Sequence, residues 1–163
     1  MAGTVAQNIA RFQPEPDFEA IIAAAKAVEV HELIVNLPGG YDTQVGEQGS
    51  ALSAGQAQRI ALARAVYGDP FLVVLDEPNS HLDSEGDKGL TRAILGVRER
   101  KGIVVVVAHR PSAIAGVDHI LVMKEGRAQA FGPKDDVLGK MLQRSAPTPR
   151  SLRVVPENGS AGT

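Results

Sequence analysis

The chain has 163 residues, no cysteine and a formal net charge of −2, with 44% hydrophobic and 22% charged residues. This is the size and composition of one ordinary globular domain, and it excludes a disulfide framework or a thiolate metal site. The charge gives no electrostatic case for binding nucleic acid. The apolar run over residues 103–108 falls far short of the roughly 20 residues that span a bilayer, and no run is longer. No basic and apolar leader heads the sequence, so a membrane connection is expected only through a partner or a part of the polypeptide outside these residues.

In chain order, residues 3–12 predict a short helix, with Thr4 as its cap and Gln7 as the return partner, stopped by Pro14 and Pro16. A second helix is expected from Asp17 to about Ala27, with Phe18, Ile21, Ile22 and Ala25 on one face. A further helical turn at 31–34 is ended by Leu37-Pro38-Gly39-Gly40, and the polar, glycine-rich 41–50 predicts loop. Ser53, followed three residues later by Gln56, is a capping-box pattern ahead of a helix carrying Ile60, Leu62, Ala63, Ala65 and Val66. Such a helix start, with its orphan N–H groups and positive partial charge, suits a phosphate. Taken alone it is better read as just a well-capped helix.

Phe71-Leu72-Val73-Val74-Leu75 and Ile103-Val104-Val105-Val106-Val107 have the continuous apolar character of strands buried on both faces of a parallel sheet. Between them, residues 84–100 predict a helix with Leu90, Ile94 and Val97 inward, so the segment forms a right-handed parallel crossover. Residues 120–123 and 128–131 flank Lys124-Glu125-Gly126-Arg127 as a hairpin. A last helix is expected over 133–143. The stretch 145–163, rich in Pro, Ser, Arg and Gly, predicts a disordered tail.

Chemistry gathers at two strand ends. Asp76 and Glu77 close the first apolar strand, where open α/β sheets place their ligands. One carboxylate there suits a hydrated Mg²⁺, and its neighbour suits a general base acting on water. An isolated acidic pair is also simply a solvated strand end. His109 closes the second strand. His31, His81 and His119 lack such a setting and are assigned structural or surface roles, and scattered histidines without cysteine make no zinc site.

Leu52-Ser53-Ala54-Gly55-Gln56, a helix, and an apolar strand ending in Asp76-Glu77-Pro78 together resemble the signature and Walker B segments of ABC-type ATPases. Further stretches extend the resemblance over residues 2–142. Asn79-Ser80-His81-Leu82-Asp83 is similar to the D-loop, although Ser80 or Asp83 would serve equally as a helix N-cap. His109 matches the switch histidine. Val45-Gly46-Glu47-Gln48-Gly49 is similar to the X-loop of exporters, and is otherwise a surface turn. Residues 3–12 look like the segment after the Q-loop of exporters, in wording nearest to type I secretion ATPases. Ala54 stands where glycine is most common; it is small enough to let a phosphate approach.

The resemblance implies an α/β, P-loop NTPase cassette of the ABC type, represented by part of the helical subdomain (about 1–66) and the C-terminal part of the parallel-sheet core (67–144). It implies ATP and Mg²⁺ as ligands, with Glu77 as catalytic base, Asp76 holding Mg²⁺ through water, and His109 as switch. Ser53, Ala54, Gly55 and Gln56 would contact nucleotide held by an opposing cassette, Ser80 and Asp83 would lie in the D-loop, and Glu47 would couple to a transmembrane domain. The implied partners are a second cassette and the membrane part of an exporter, at the cytoplasmic face of the inner membrane, and the implied work is ATP-driven export. No Gly-x-x-x-x-Gly-Lys-Ser/Thr occurs; at the one Gly-Lys pair, Gly139-Lys140, Lys134 fills the first glycine position and Met141 follows. The chain by itself is therefore expected to be inactive toward ATP, and a catalytically silent chain docking onto a P-loop-bearing partner is the alternative. Strands left without their neighbours are also expected to expose an apolar face.

Overall fold

The computed structural model describes residues 3–46 and 52–145. The chain divides into two compact units, Met1–Val117 and Asp118–Thr163, where composition alone suggests one domain. The first holds α1 (Val5–Ile9), α2 (Phe18–Ala27), α3 (His31–Val35), a 3₁₀ turn at Gly40–Asp42, α4 (Ala54–Val66), β1 (Leu72–Asp76), α5 (Ser84–Glu99), β2 (Ile103–Val107) and a 3₁₀ turn at Pro111–Ile114. The second holds β3 (His119–Lys124), β4 (Arg127–Pro133) and α6 (Lys134–Ser145).

Helix starts in the first unit follow their caps. Thr4 and Gln7 close a full capping box on α1, with Thr4 N–H donating to Gln7 Oε1 at 2.9 Å and Gln7 N–H to Thr4 Oγ1 at 3.1 Å. α1 is shorter than the sequence suggests, because Arg11 and Phe12 take left-handed backbone angles, φ 56° and 59°. That turn aims the Arg11 guanidinium at the end of α4, where it donates to the carbonyls of Arg64 and Ala65, both at 3.1 Å. Asp17 caps α2 through the N–H groups of Glu19 and Ala20. The buried face of α2 is Ile21, Ala24 and Ala25. Phe18, expected inward, is half exposed and instead meets the Tyr41 ring edge-on at 5.6 Å.

One apolar cluster joins these helices to the strands. Val5, Ile9, Ile21, Val30, Ile34, Ile60, Ala63, Leu90, Ile94 and Val97 are buried together with Val73 and Leu75. Each fully buried Ile or Leu contributes about 1.5–3 kcal/mol relative to exposure. Val66 and Tyr67, set above as the border between helical part and sheet core, both lie inside this cluster. α5 approaches α2 closely at Gly89, where a Cβ would overlap the Val28 carbonyl oxygen.

β1 and β2 pair in parallel, Leu72 opposite Ile103 through Asp76 opposite Val107, with α5 as the crossover. The expectation of strands buried on both faces is corrected here. Val73 and Leu75 are buried, whereas Leu72, Val74, Ile103, Val105 and Val107 lie on an open face, each 45–62% exposed. The apolar composition is right for double burial, but the helices of this unit cover one face only.

In the second unit, β3 and β4 form an antiparallel hairpin with a bulge at Val122/Met123. Its turn needs left-handed angles at two central positions, supplied by Glu125 (φ 53°) and Gly126 (φ 72°). α6 packs on it through buried Val137. The expected tail lies outside the described residues, apart from Ser145, which ends α6.

Two outcomes are expected. Gly89→Ala should lower stability, because overpacking against a backbone carbonyl costs about 1–3 kcal/mol and the gain in helix propensity is only about 1 kcal/mol; the urea midpoint measures the balance. The open strand face should make the isolated chain self-associate, and a sharp monomer in sedimentation velocity at tens of micromolar would argue against it.

Candidate functional site

The carboxyl ends of β1 and β2 bring the two sequence-predicted strand-end groups together. Glu77 N–H extends the parallel ladder by donating to the Val107 carbonyl at 2.8 Å. Its backbone then turns sharply, with φ at 44°, a region that costs a non-glycine residue about 1–2 kcal/mol. The Glu77 carboxylate Oε1 lies 3.3 Å from His109 Nε2, both side chains solvent-accessible. Asp76, one residue earlier, is exposed, and its carboxylate makes no hydrogen bond or ion pair among the described residues. A base beside an imidazole at one mouth can hold and pass a proton there.

The chain beyond Glu77 is fastened to β2's exit. Asn79 is buried, donates from Nδ2 to Ser112 Oγ at 2.9 Å, and its carbonyl accepts from the Arg110 guanidinium at 3.1 Å. The loops carrying Glu77 and His109 are thus cross-tied, which holds their backbones side by side.

Ser53 begins α4 with the predicted capping box: Gln56 N–H donates to Ser53 Oγ at 3.2 Å and Ser53 N–H to Gln56 Oε1 at 2.9 Å. Ser53 and Ala54 are exposed, and Gly55 and Gln56 partly so. The first turn carries no acidic residue, so no carboxylate of the turn itself offsets its positive end. Residues 53–56 make no hydrogen bond to Asp76, Glu77 or His109 in the described structure. They are nonetheless near neighbours of the loop after Glu77, since a Cβ on Gly55 would sit 2.9 Å from the His81 carbonyl oxygen.

Two residues that sequence reasoning passed over do the fastening. Gln58 donates from Nε2 to the Glu77 carbonyl at 2.9 Å and to Ser80 Oγ at 3.1 Å, while its Oε1 accepts from His81 N–H at 2.9 Å. Arg59, buried at 7% exposure, pairs with Asp83 and, at 2.9 Å, with Glu85. Burial disfavours its charge, but the hydrogen bonds and charges of the two carboxylates more than offset this and raise its pKa. A signal was present as the adjacent polar pair Gln58-Arg59 in the first half of α4. Ser80 contacts the His81 ring at 3.0 Å.

Asp83 is the N-cap of α5. The Gly86 N–H, at 2.8 Å, and the Arg59 guanidinium hold its carboxyl below the usual carboxylate range. Glu47 lies outside the described residues. No group of three His, Cys, Asp or Glu side chains able to hold a metal ion occurs among the described residues. The carboxylate of Asp76, exposed and unengaged, fits a hydrated cation held through water rather than a direct multi-carboxylate cage.

Residues 2–80 match the sequence model of the ABC transporter family. The type I secretion system ATP-binding protein PrsD of Rhizobium meliloti (strain 1021) is 61% identical over 161 residues, which are 98% of this chain and 28% of that protein. The ATP-dependent lipid A-core flippase of Chromohalobacter salexigens is 44% identical over 137 residues, 84% of this chain and 24% of that protein. A solved structure of a bacterial Atm1-family ABC exporter with ATP bound superposes with a TM-score of 0.75 at 33% identity, covering 90% of this chain and 27% of that one. The chain therefore belongs to the ABC transporter family and has the α/β fold of its nucleotide-binding cassette. Within that family it is similar to exporters and, in PrsD, to an ATP-binding protein of type I secretion; it spans 28% and 24% of the two relatives named.

The depressed Asp83 carboxyl fixes the sign of a pH effect. Its contribution to stability is complete above the unfolded carboxylate value of about 3.9 and is lost as pH falls through the lower folded value. Asp83→Asn keeps a cap without the titrating charge. The stability gap between wild type and variant, from urea unfolding at a series of pH values, should be constant near neutrality and close on acidification; a gap unchanged by acid would refute the assignment.

Proposed function

We propose that this chain contributes to ATP binding and hydrolysis driving export across a membrane, in type I protein secretion, as part of a complete ABC transporter. The observation that carries the proposal is the Glu77–His109 pair, 3.3 Å apart at the ends of two adjacent parallel strands, beside an intact Ser53–Gln56 cap.

In this reading Glu77 is the general base. Its side chain accepts a proton from an attacking water, and His109 at 3.3 Å orients that carboxylate and contacts the terminal phosphate. Asp76 holds Mg²⁺ through water, and the ion when bound supplies charge neutralisation on the phosphates. Ser53, Ala54, Gly55 and Gln56 present the exposed start of α4 to nucleotide held on the P-loop of a second cassette, which is one partner. Ser80 and Asp83 belong to the loop between the two sites, where Asp83 caps α5 and pairs with Arg59 while Ser80 is held by Gln58. Glu47 couples to the other partner, a transmembrane domain, and the assembly lies at the cytoplasmic face of the inner membrane. Nucleic acid is not a partner.

A second reading, a catalytically silent chain docked on a P-loop-bearing partner, draws on one observation: the sequence contains no Gly-x-x-x-x-Gly-Lys-Ser/Thr. Under both readings the chain alone should show no measurable MgATP binding by calorimetry. They part in the complete transporter, where Glu77→Gln is expected to slow hydrolysis by about 10²–10⁴-fold while nucleotide-bound dimers still form. Unchanged turnover would remove Glu77 from the mechanism and favour the silent reading.

A further inference from the structure

The carboxamide of Gln58 stands outside the chemistry assigned to the site so far. It lies one turn into α4, behind the exposed Ser53–Gln56 start, and makes three hydrogen bonds to the loop that follows Glu77. The orientation of the amide is fixed by its partners. Oε1 faces the backbone N–H of His81 and Nε2 faces the backbone carbonyl of Glu77, so the flipped amide would set donor against donor and acceptor against acceptor.

We infer that Gln58 is a positioning residue that sets the Glu77 carboxylate and ties its placement to the phosphate-facing end of α4, a proposal that rests on the reading of Glu77 as base. Three features carry it. The carbonyl that Gln58 holds belongs to Glu77 itself, and the same oxygen accepts from Ser80 N–H at 3.3 Å, so one carboxamide braces the whole turn. That turn contains the left-handed Glu77 backbone, a conformation that persists only where the surroundings over-determine it. And at Gly55 the start of α4 leaves no room for a Cβ beside the His81 carbonyl, so a displacement of the helix end is passed to the 77–81 turn rather than absorbed by a gap. A general base must sit within hydrogen-bond reach of its water, and small misplacements are costly. Gln58 thereby lets the occupancy of one helix start bear on the carboxylate of its own chain.

The donor and acceptor halves of the amide separate in experiment. Gln58→Ala removes both; Gln58→Glu keeps an acceptor for His81 N–H but loses the donors to the Glu77 carbonyl and Ser80. Amide hydrogen exchange in the full chain reads the turn directly, and MgATP turnover of the complete transporter carrying the same substitutions reads its consequence. Gln58→Ala is expected to speed exchange at His81 and Ser80 by roughly tenfold, with β1 and α5 amides unchanged. In the transporter it should lower kcat by roughly tenfold or more at nearly constant KM. Gln58→Glu should restore protection at His81 but not kcat, which a merely structural role does not produce. If Gln58→Glu restores both, or Gln58→Ala alters neither, the inference is overturned. If wild-type and Glu77→Gln transporters turn over equally, the functional reading fails and the catalytic part of this inference with it, while exchange still judges whether Gln58 holds the turn. Should Gln58→Ala fail to fold, Gln58→Glu alone decides, since unimpaired kcat in that variant defeats the proposal.

Discussion

The hydrogen bond from Glu77 N–H to the Val107 carbonyl is the last rung of the β1–β2 ladder and the first fixed point of the site. Because the strands are parallel and in register up to Asp76 and Val107, their exits lie side by side, and the residues just beyond them have no choice but to be neighbours. The sharp turn at Glu77 then sends the chain back toward α4 instead of onward along the sheet. Everything else at the site is bracing for that turn. Asn79 and Arg110 tie it to the β2 side, Gln58 ties it to α4, and Arg59 ties α4 to the start of α5.

These ties differ in what they cost. Arg59 carries a charge into a nearly buried position, which is tolerable only because Asp83 and Glu85 meet it there. Removing one carboxylate would leave a poorly compensated cation; removing the guanidinium would leave two exposed carboxylates that water can serve. Gln58 is neutral and works in a half-buried setting, so its bonds contribute modestly to stability and mainly to geometry. The division is sensible for a site that needs one rigid joint and one that can transmit a displacement.

Much of this was legible in the residues. Both capping boxes, the placement of α5 with Leu90, Ile94 and Val97 inward, the parallel pair and the Glu125-Gly126 hairpin turn follow from local chemistry, because caps, periodicity and left-handed turns are written in short windows. The adjacency of Glu77 and His109 was also legible, once two apolar strands joined by a helix were seen to end in them. What the sequence concealed depends on distant partners. Nothing in Gln58 or Arg59 says which carbonyl or carboxylate they will meet some twenty residues away. Nor does an apolar strand by itself say how many of its faces will be covered: Val74 and Val105 read as interior by composition, and only the missing P-loop segment pointed to the open face on which they lie. Phe18 went astray for a related reason: its ring found an aromatic edge on Tyr41 rather than the helix's own buried side.

The Arg11 guanidinium on the last carbonyls of α4 has an electrostatic consequence at the opposite end of that helix. A helix dipole is a pair of partial charges, about half an elementary charge at each end. Here the negative pole is neutralised by a cation recruited from the turn after α1, while no acidic residue occupies the first turn at the positive pole. The two poles no longer cancel at a distance, so the positive pole at residues 53–56 is less offset by its own helix than an uncapped dipole would leave it. An anion arriving there meets a field that the fold has already made one-sided, before any side chain moves to greet it.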